Sequence, residues 1–281
     1  MADAANRREW PLVVFTLALQ MSCGLVTVLT LIEAESGRVP AMRPLGLAAF
    51  PIAVLGMLVS ALHLGRPLSA WKSLRNLGRS RLSMEVLLTG MFALTCAAYG
   101  WTWVAGLSDV RFPLSIIATV TGLAAVVSSA SIYMVPTQPS WNSWWVLVSF
   151  VGTSLALGGA TCAALISRTA SDPSGRAPAG LTVAGSCLVL ASAVWMAKNA
   201  FVPTRAGVRQ PTVQRFRGTQ WLSFALYVVL AGALPVVEAL QLLTEEPVGV
   251  ATPAAFITLA GVLVGALFGR TLMYSLAADS F

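Results

Sequence analysis

One polar segment, His63–Glu85, carries the side chains of this sequence that are best suited to chemistry. It separates two long apolar runs, it contains the only histidine of the chain, and it ends in an acidic residue. An imidazole accepts a proton near neutral pH, and a partly desolvated carboxyl group accepts a second one. If the two ends of the segment lie close together, this pair suits a reaction that moves two protons.

Each member of the pair also has a simpler interpretation. Ser83 could cap a helix that begins near Glu85, and the helix dipole would then stabilise the carboxylate in the first turn. His63 could be a histidine at the edge of an apolar run without a chemical task. Both interpretations stay open on the residues alone.

The composition of the chain indicates a membrane protein. Of its 281 residues, 57% are hydrophobic and only 10% are charged, and the mean hydropathy is +0.77. These values lie outside the usual range of soluble domains. Long apolar runs in lipid must satisfy their backbone groups internally, so they predict helices. The alternating pattern of outer-membrane barrel strands is absent.

Eight apolar runs are long enough to cross a bilayer, which needs about 20 residues per helix. The fold class is therefore predicted as an all-α integral membrane protein with eight transmembrane helices. Gly261, Gly265 and Gly269 share one face of the last run and predict close helix packing. The predicted spans are Pro11–Ile32, Pro44–Leu64, Glu85–Gly106, Pro113–Val135, Trp144–Ile166, Gly180–Ala200, Trp221–Leu243 and Thr252–Met273.

A weak internal repeat divides the spans into two groups of four. At an offset of 135, Trp10, Leu12, Val13 and Phe15 correspond to Trp145, Leu147, Val148 and Phe150. Two parallel four-helix repeats would follow, with halves at 1–137 and 138–281. At the same offset, Lys198 stands for His63 and Gln220 for Glu85. We therefore expect the site in the first half and a scaffold in the second.

The distribution of basic residues predicts the orientation. With eight spans, both termini lie on the same side as the His63–Glu85 segment, and thirteen of the 18 Lys and Arg residues fall there. The positive-inside rule assigns that side to the cytoplasm. The net charge of +7 is then a property of the loops and does not indicate nucleic-acid binding. The other side holds Arg38, Arg43, Arg111, Arg168 and Arg176.

The sequence lacks the ligands for a redox centre of its own. One histidine cannot supply both axial ligands of a membrane b-type haem, and the cysteines are not grouped as an iron–sulfur cluster requires. The four cysteines occur singly in apolar runs, where small core hydrophobes are the ordinary interpretation. No metal site and no phosphate-binding loop is predicted. The cysteines are Cys23, Cys96, Cys162 and Cys187.

Glu238 is the one acidic residue that this division of the chain places deep inside a span. Acids in a bilayer are costly and commonly functional, which raises the alternative of a transporter with Glu238 as its coupling acid. A structural acid near the end of the span is the other interpretation. Ion pathways ordinarily need a chain of such groups, so transport is disfavoured.

The polar segment and its surroundings resemble a known family. His63-Leu-Gly-Arg-Pro67, followed by Ser73-Leu74 and Leu82-Ser83-x-Glu85, is similar to the DMSO reductase anchor-subunit (DmsC) family. The resemblance extends to Glu9-Trp10-Pro11-Leu12 in the first span and to Val135-Pro136-Thr137 after the fourth.

The resemblance implies a membrane anchor with no haem or cluster. Such an anchor holds a molybdopterin catalytic subunit and a ferredoxin-like iron–sulfur subunit and exchanges electrons with quinone. His63 and Glu85 then correspond to residues that bind and oxidise menaquinol, a reaction that releases two protons. Gln20, Arg66, Ser83 and Tyr133 are further candidates for the quinone pocket, and Tyr133 also fits an aromatic belt. The basic residues expected to dock the iron–sulfur subunit or anionic lipid are Arg66, Lys72, Arg75, Arg79 and Arg81.

One expectation from the resemblance conflicts with the charge distribution. The best-known anchors hold an exported catalytic dimer, whereas the loop charges place the active segment in the cytoplasm. A cytoplasm-facing anchor similar to quinone-linked sulfite dehydrogenases would reconcile both, with electrons running into quinone. A purely structural anchor without quinone is a further alternative. Our prediction is the anchor of a DMSO reductase-like complex in the bacterial inner membrane, with a quinone-reactive site and no redox cofactor of its own.

Overall fold

The apolar runs of the sequence form long helices, because a helix satisfies its backbone N–H and C=O groups within the lipid. The computed structural model of the chain describes residues 2–37, 40–61, 67–136, 141–166, 176–201, 219–244 and 253–278. The elements in these ranges are α1 (Ala2–Ser36), α2 (Met42–Ala61), a 3₁₀ segment (Pro67–Asn76), α3 (Arg81–Ala105), α4 (Ser108–Tyr133), α5 (Trp144–Ile166), α6 (Arg176–Phe201), α7 (Thr219–Leu226), a π-helical segment (Tyr227–Ala233), α8 (Leu234–Thr244) and α9 (Pro253–Ala278).

Eight helical stretches within these ranges are long and apolar enough to cross a membrane. This finding confirms the predicted helical class and the eight spans. The seventh span, Gln220–Glu238, runs through α7, the π-helical segment and the start of α8. The division into two parallel repeats stays a prediction.

Helices α1 and α5 form the centre of the bundle. In the apolar stretch of α1, 78% of the residues are buried inside the protein, compared with 67% in α5 and 28% in α2. Gly24 of α1 and Gly158 of α5 face each other so closely that a Cβ atom on either would overlap the backbone of the other helix. In lipid, the hydrophobic effect does not drive helices together, so close packing of this kind is a main source of stability.

The outer faces of the bundle carry exposed apolar side chains, as expected where helices meet lipid. Examples are Leu55, Leu94, Val120, Val194 and Leu222. Three of the cysteines are buried, as predicted, but Cys187 is exposed. The prediction is wrong for Cys187 because a small apolar side chain is as stable against lipid as it is inside the bundle.

The last span packs closely against the π-helical segment. A Cβ atom on Gly265 would meet the backbone nitrogen of Ala231, and one on Gly269 would meet the ring of Tyr227. These contacts confirm the packing predicted from the glycine spacing. A π-helical turn shifts the register of the side chains and occurs often at functional sites. The ring of Tyr227, the first residue of the π-helical segment, lies against α9.

Candidate functional site

Helix α3 begins one turn before Glu85. Its first residue is Arg81, and Ser80 occupies the N-cap position. Ser83 therefore lies inside the helix, where its Oγ donates a hydrogen bond to the carbonyl oxygen of Ser73 over 2.7 Å. The interpretation of Ser83 as the cap is wrong, because the helix starts earlier than the apolar run. Glu85 falls beyond the first turn, in which an acid interacts best with the helix dipole.

Arg81 holds the start of α3 against the end of α4. Its Nη1 donates hydrogen bonds to the carbonyl oxygens of Ser131 and Met134, each over 2.6 Å. The carbonyl oxygen of Ser131 also accepts the backbone N–H of Met134 over 3.2 Å. The guanidinium adds hydrogen bonds at a helix end, where carbonyl groups have few partners within the helix. Arg81, which was expected to dock a partner or lipid, therefore has a structural contact within the chain.

The predicted pairing of His63 with Glu85 stays a prediction, because His63 and Arg66 lie outside the residues that the structure describes. Of the remaining basic residues, Lys72, Arg75 and Arg79 have exposed side chains near the start of α3. Their predicted contact with a partner subunit or with lipid stays a prediction.

Glu85 is a buried acid. Its side chain is 8% exposed and lies beside the hydroxyl of Ser129 in α4. The hydroxyls of Tyr133 and Tyr274 lie within the electrostatic reach of its carboxyl group. A buried carboxyl group needs such hydrogen-bonding neighbours. Glu238, which we expected to be the one deep acid, is only half-buried.

Tyr133 and Tyr274 join the ends of α4 and α9. Their hydroxyl oxygens are 2.5 Å apart, and their rings meet edge to face with 5.6 Å between centroids. Trp141 packs against both rings, and its indole N–H donates to the carbonyl oxygen of Met273 over 2.9 Å. Because Tyr133 is buried, the aromatic-belt interpretation of this residue is wrong.

Helix α1 adds two polar groups to the same region. Thr16 lies beside the hydroxyl of Tyr274, and Gln20 follows one turn later on the same face of the helix. Gln20 is fully buried, and neither its Oε1 nor its Nε2 has a hydrogen-bond partner among the described residues. An unsatisfied buried polar group costs about 1–3 kcal/mol, so a ligand group that bonds to Gln20 would gain that energy.

Four residues in this region were not predicted from the sequence as part of the site: Thr16, Ser129, Arg270 and Tyr274. Ser129 and Tyr133 are four residues apart, as are Arg270 and Tyr274, and this spacing places each pair on one helix face. That spacing near the end of an apolar run was the available signal. Arg270 was instead counted among the basic residues that set topology, although its side chain is only 3% exposed.

Thr16, Glu85, Ser129, Tyr133 and Tyr274 form a polar cluster, which lies inside one end of the bundle. Hydroxyl groups donate and accept hydrogen bonds, and a carboxyl group can take up or release a proton. The polar cluster can therefore hold the oxygen of an apolar ligand and exchange a proton with it. Among the residues that the structure describes, no group of three or more His, Cys, Asp and Glu side chains could hold a metal ion.

The comparison with known families covers almost the whole chain. The family model described as "DMSO reductase anchor subunit (DmsC)" matches residues 4–276. The chain belongs to this family. The resemblance inferred from the His63–Glu85 segment is thereby confirmed, and the protein is a multi-pass membrane anchor subunit.

Curated relatives agree with the DmsC assignment. The C subunit of the anaerobic dimethyl sulfoxide reductase of Escherichia coli (strain K12) is 29% identical over 278 residues, which cover 95% of this protein and 94% of the relative. The C subunit of the same enzyme from Haemophilus influenzae is 29% identical over 160 residues, which cover 54% of this protein and 56% of the relative. The YnfH subunit of an anaerobic dimethyl sulfoxide reductase of E. coli is 28% identical over 168 residues, covering 56% of this protein and 57% of the relative.

Proposed function

We propose that this DmsC-family anchor oxidises menaquinol at the membrane boundary and passes the electrons to the iron–sulfur subunit of a molybdopterin oxidoreductase similar to DMSO reductase. The observation that most supports the proposal is the burial of Glu85 among the hydroxyls of Ser129, Tyr133 and Tyr274. The carboxyl group lies where α3, α4 and α9 meet, among groups that can donate or accept a proton. A proton acceptor for an apolar substrate needs such a position.

The proposed reaction balances with two proton acceptors. Oxidation of a quinol breaks two O–H bonds and gives the quinone, two protons and two electrons. Glu85 accepts one proton, which the neighbouring hydroxyls can relay from the ring oxygen that loses it. His63 accepts the proton of the opposite ring oxygen. The electrons leave for the nearest cluster of the iron–sulfur subunit.

The relatives support an assembly with further subunits. Two of them are named as the C subunit of anaerobic dimethyl sulfoxide reductase, which supports partner subunits that carry the clusters and the molybdopterin. Exposed Lys72 and Arg79 lie at the end of the bundle that holds the polar cluster, and they could attract an acidic face of the iron–sulfur subunit. Docking there would bring a cluster close to the quinone ring.

The names of the relatives support one direction of electron flow. The named relatives are reductases, which supports quinol as the electron donor in this protein as well. A cytoplasm-facing anchor similar to quinone-linked sulfite dehydrogenases is the second candidate, and the distribution of basic residues supports it. In that case Glu85 and His63 would deliver protons to the quinone instead of accepting them.

The replacement Glu85→Gln tests the proposal, because glutamine keeps the shape of the side chain but cannot accept the proton. We expect quinol-linked turnover of the assembled complex to fall at least ~100-fold, as general acid–base groups typically contribute 10²–10⁴. The matched control is Glu238→Gln, which changes the half-buried acid of α8 and should leave turnover within about twofold. Turnover is measured with a reduced naphthoquinone in membranes that contain all subunits.

Two other results would overturn the proposal and support a different function. If Glu85→Gln leaves quinol-linked turnover unchanged while the catalytic subunits stay on the membrane, the protein is a structural anchor. If the protein alone moves a solute across vesicle membranes and Glu238→Gln stops this movement, it is a transporter. Binding of a quinone analogue to the purified complex, lost in the Glu85 variant, would argue against both.

A further inference from the structure

A second polar region lies next to the polar cluster, between α5, α6, the π-helical segment and α9. It is a partly open pocket with a mostly apolar and aromatic lining. Its polar lining groups include Ser149, Ser192, Tyr227 and Arg270. The hydroxyl of Tyr227 lies 3.3 Å from the Oγ atoms of both Ser149 and Ser192. Ligand pockets typically have this balance of apolar wall and few polar groups.

Arg270 is the unusual member of this pocket. Its side chain is 3% exposed, its guanidinium carbon lies 3.5 Å from the centroid of the Phe150 ring, and its Nη1 contacts the sulfur of Met273. Its Nη2 is buried without a hydrogen-bond partner in the described part of the chain. A guanidinium stays charged in proteins, so an unpaired buried N–H group is costly. The pocket therefore lacks an acceptor for Arg270.

The chemistry of the lining defines the missing acceptor. Arg270 can only donate hydrogen bonds, and the hydroxyls of Ser149 and Tyr227 can donate as well. Aromatic rings form much of the remaining wall, and flat aromatic ligands stack well on such rings. A flat, apolar ring with carbonyl oxygens fits these donors.

The pocket also adjoins the polar cluster. Trp141 and Met273 line the pocket. Trp141 also packs on Tyr133 and Tyr274, and its indole N–H bonds to the carbonyl oxygen of Met273. A ring in the pocket would therefore lie one side-chain layer away from the hydroxyls that surround Glu85.

We propose that the pocket binds the ring of the quinone substrate and that Arg270 donates a hydrogen bond from Nη2 to one ring carbonyl. This inference rests on the proposed function, since it assigns the substrate a position within the same bundle. It changes the sequence-based expectation in one respect. The halves 1–137 and 138–281 both contribute to the site, because α5, α6 and α9 form the pocket and Glu85 lies in α3.

The test measures the affinity of a fluorescent hydroxyquinoline N-oxide, a quinol analogue, for the purified complex. Arg270→Gln should weaken binding at least ~10-fold, which corresponds to about 1.4 kcal/mol, and Arg270→Lys should keep part of the affinity because it keeps the charge. The matched control is Arg111→Gln. Arg111 is also buried and stacked on an aromatic ring, with 3.8 Å between its guanidinium carbon and the Trp103 ring centroid. It lies at the start of α4, whereas Tyr133 lies at the end of that helix. The Arg111 variant should therefore bind the analogue normally.

The results separate this inference from the proposed function. If the unmodified complex binds the analogue and Glu85→Gln weakens it, but Arg270→Gln does not, the ring lies elsewhere and only the pocket assignment is wrong. If the unmodified complex binds no analogue, the proposed function itself fails. If Arg270→Gln removes tightly bound anionic phospholipid from the purified complex and leaves analogue affinity unchanged, the pocket holds a lipid headgroup and the assignment is wrong.

A measurement on the unmodified complex covers the case in which the Arg270 variants do not assemble. An azido-naphthoquinone is bound and activated by light, and the labelled peptides are identified by mass spectrometry. Labelling within residues 141–153, 192–196 or 266–270 or at Tyr227, displaced by excess naphthoquinone, supports the pocket. Labelling that is displaced in the same way but falls outside all of these positions overturns it.

Discussion

The hydroxyl oxygens of Tyr133 and Tyr274 lie 2.5 Å apart, although 141 residues separate the two tyrosines in the sequence. The contact joins the end of α4 to the end of α9 beside Glu85. The polar cluster therefore depends on contacts between the first and the last parts of the chain. The hydrogen bond between the two tyrosines can be tested separately from their rings.

The replacements Tyr133→Phe and Tyr274→Phe remove one hydroxyl each and keep the rings that pack on Trp141. Each should lower the free energy of unfolding by about 1 kcal/mol, the usual net value of a buried hydrogen bond. The double variant should cost about the same as either single variant, because each single change already breaks the shared bond. Thermal unfolding of the detergent-solubilised complex measures the three effects, and strictly additive losses would contradict the pairing.

The close approach of α1 and α5 leads to a second prediction. In Gly24→Ala the added methyl group would overlap the carbonyl group of Ser154, and backbone cannot move aside as a flexible side chain would. We expect a loss of about 1–3 kcal/mol, as for other overpacked cores, and less anchor in the membrane fraction. Gly90→Ala is the matched control, because a Cβ atom there meets nothing within 4 Å. Equal effects of both changes on the unfolding midpoint would show that the contact is unimportant.

Some features of this structure are visible in the sequence pattern, and others are not. The eight spans were predictable because the thickness of the bilayer sets the length of an apolar run. The nearness of Glu85 to Tyr133 was predictable in part, since both lie at span ends on the same predicted side. The burial of Arg270 was not predictable, because a sequence shows the depth of a residue along a helix but not the direction in which the helix faces. The start of α3 was misplaced for a related reason: polar Arg81 begins the helix because carbonyls of α4 accept its hydrogen bonds.

The contact of Arg81 with α4 leads to a third prediction. Arg81→Ala removes both hydrogen bonds to Ser131 and Met134, and the last turn of α4, which carries Tyr133, should loosen. Because the arginine is exposed, the loss of stability should be only about 1 kcal/mol. Amide hydrogen exchange should become faster in residues 131–136. Arg79→Ala, at an exposed position nearby, should leave exchange there unchanged, and unchanged exchange in the Arg81 variant as well would contradict the capping role.

Gln20 and Ser22 provide a fourth prediction, in which stability and binding change in opposite ways. Gln20 is buried without a partner among the described residues, whereas the Oγ of Ser22 donates to the carbonyl oxygen of Ala49 over 2.7 Å. Gln20→Leu should therefore raise the free energy of unfolding by about 1 kcal/mol, because it removes an unsatisfied amide of similar size. If the amide serves the quinone, the same change should weaken binding of the quinol analogue roughly 10-fold. Ser22→Ala should do the reverse: it should cost about 1 kcal/mol of stability and leave the affinity unchanged. A Gln20→Leu variant that is more stable and binds the analogue normally would show that the amide is not part of the binding site.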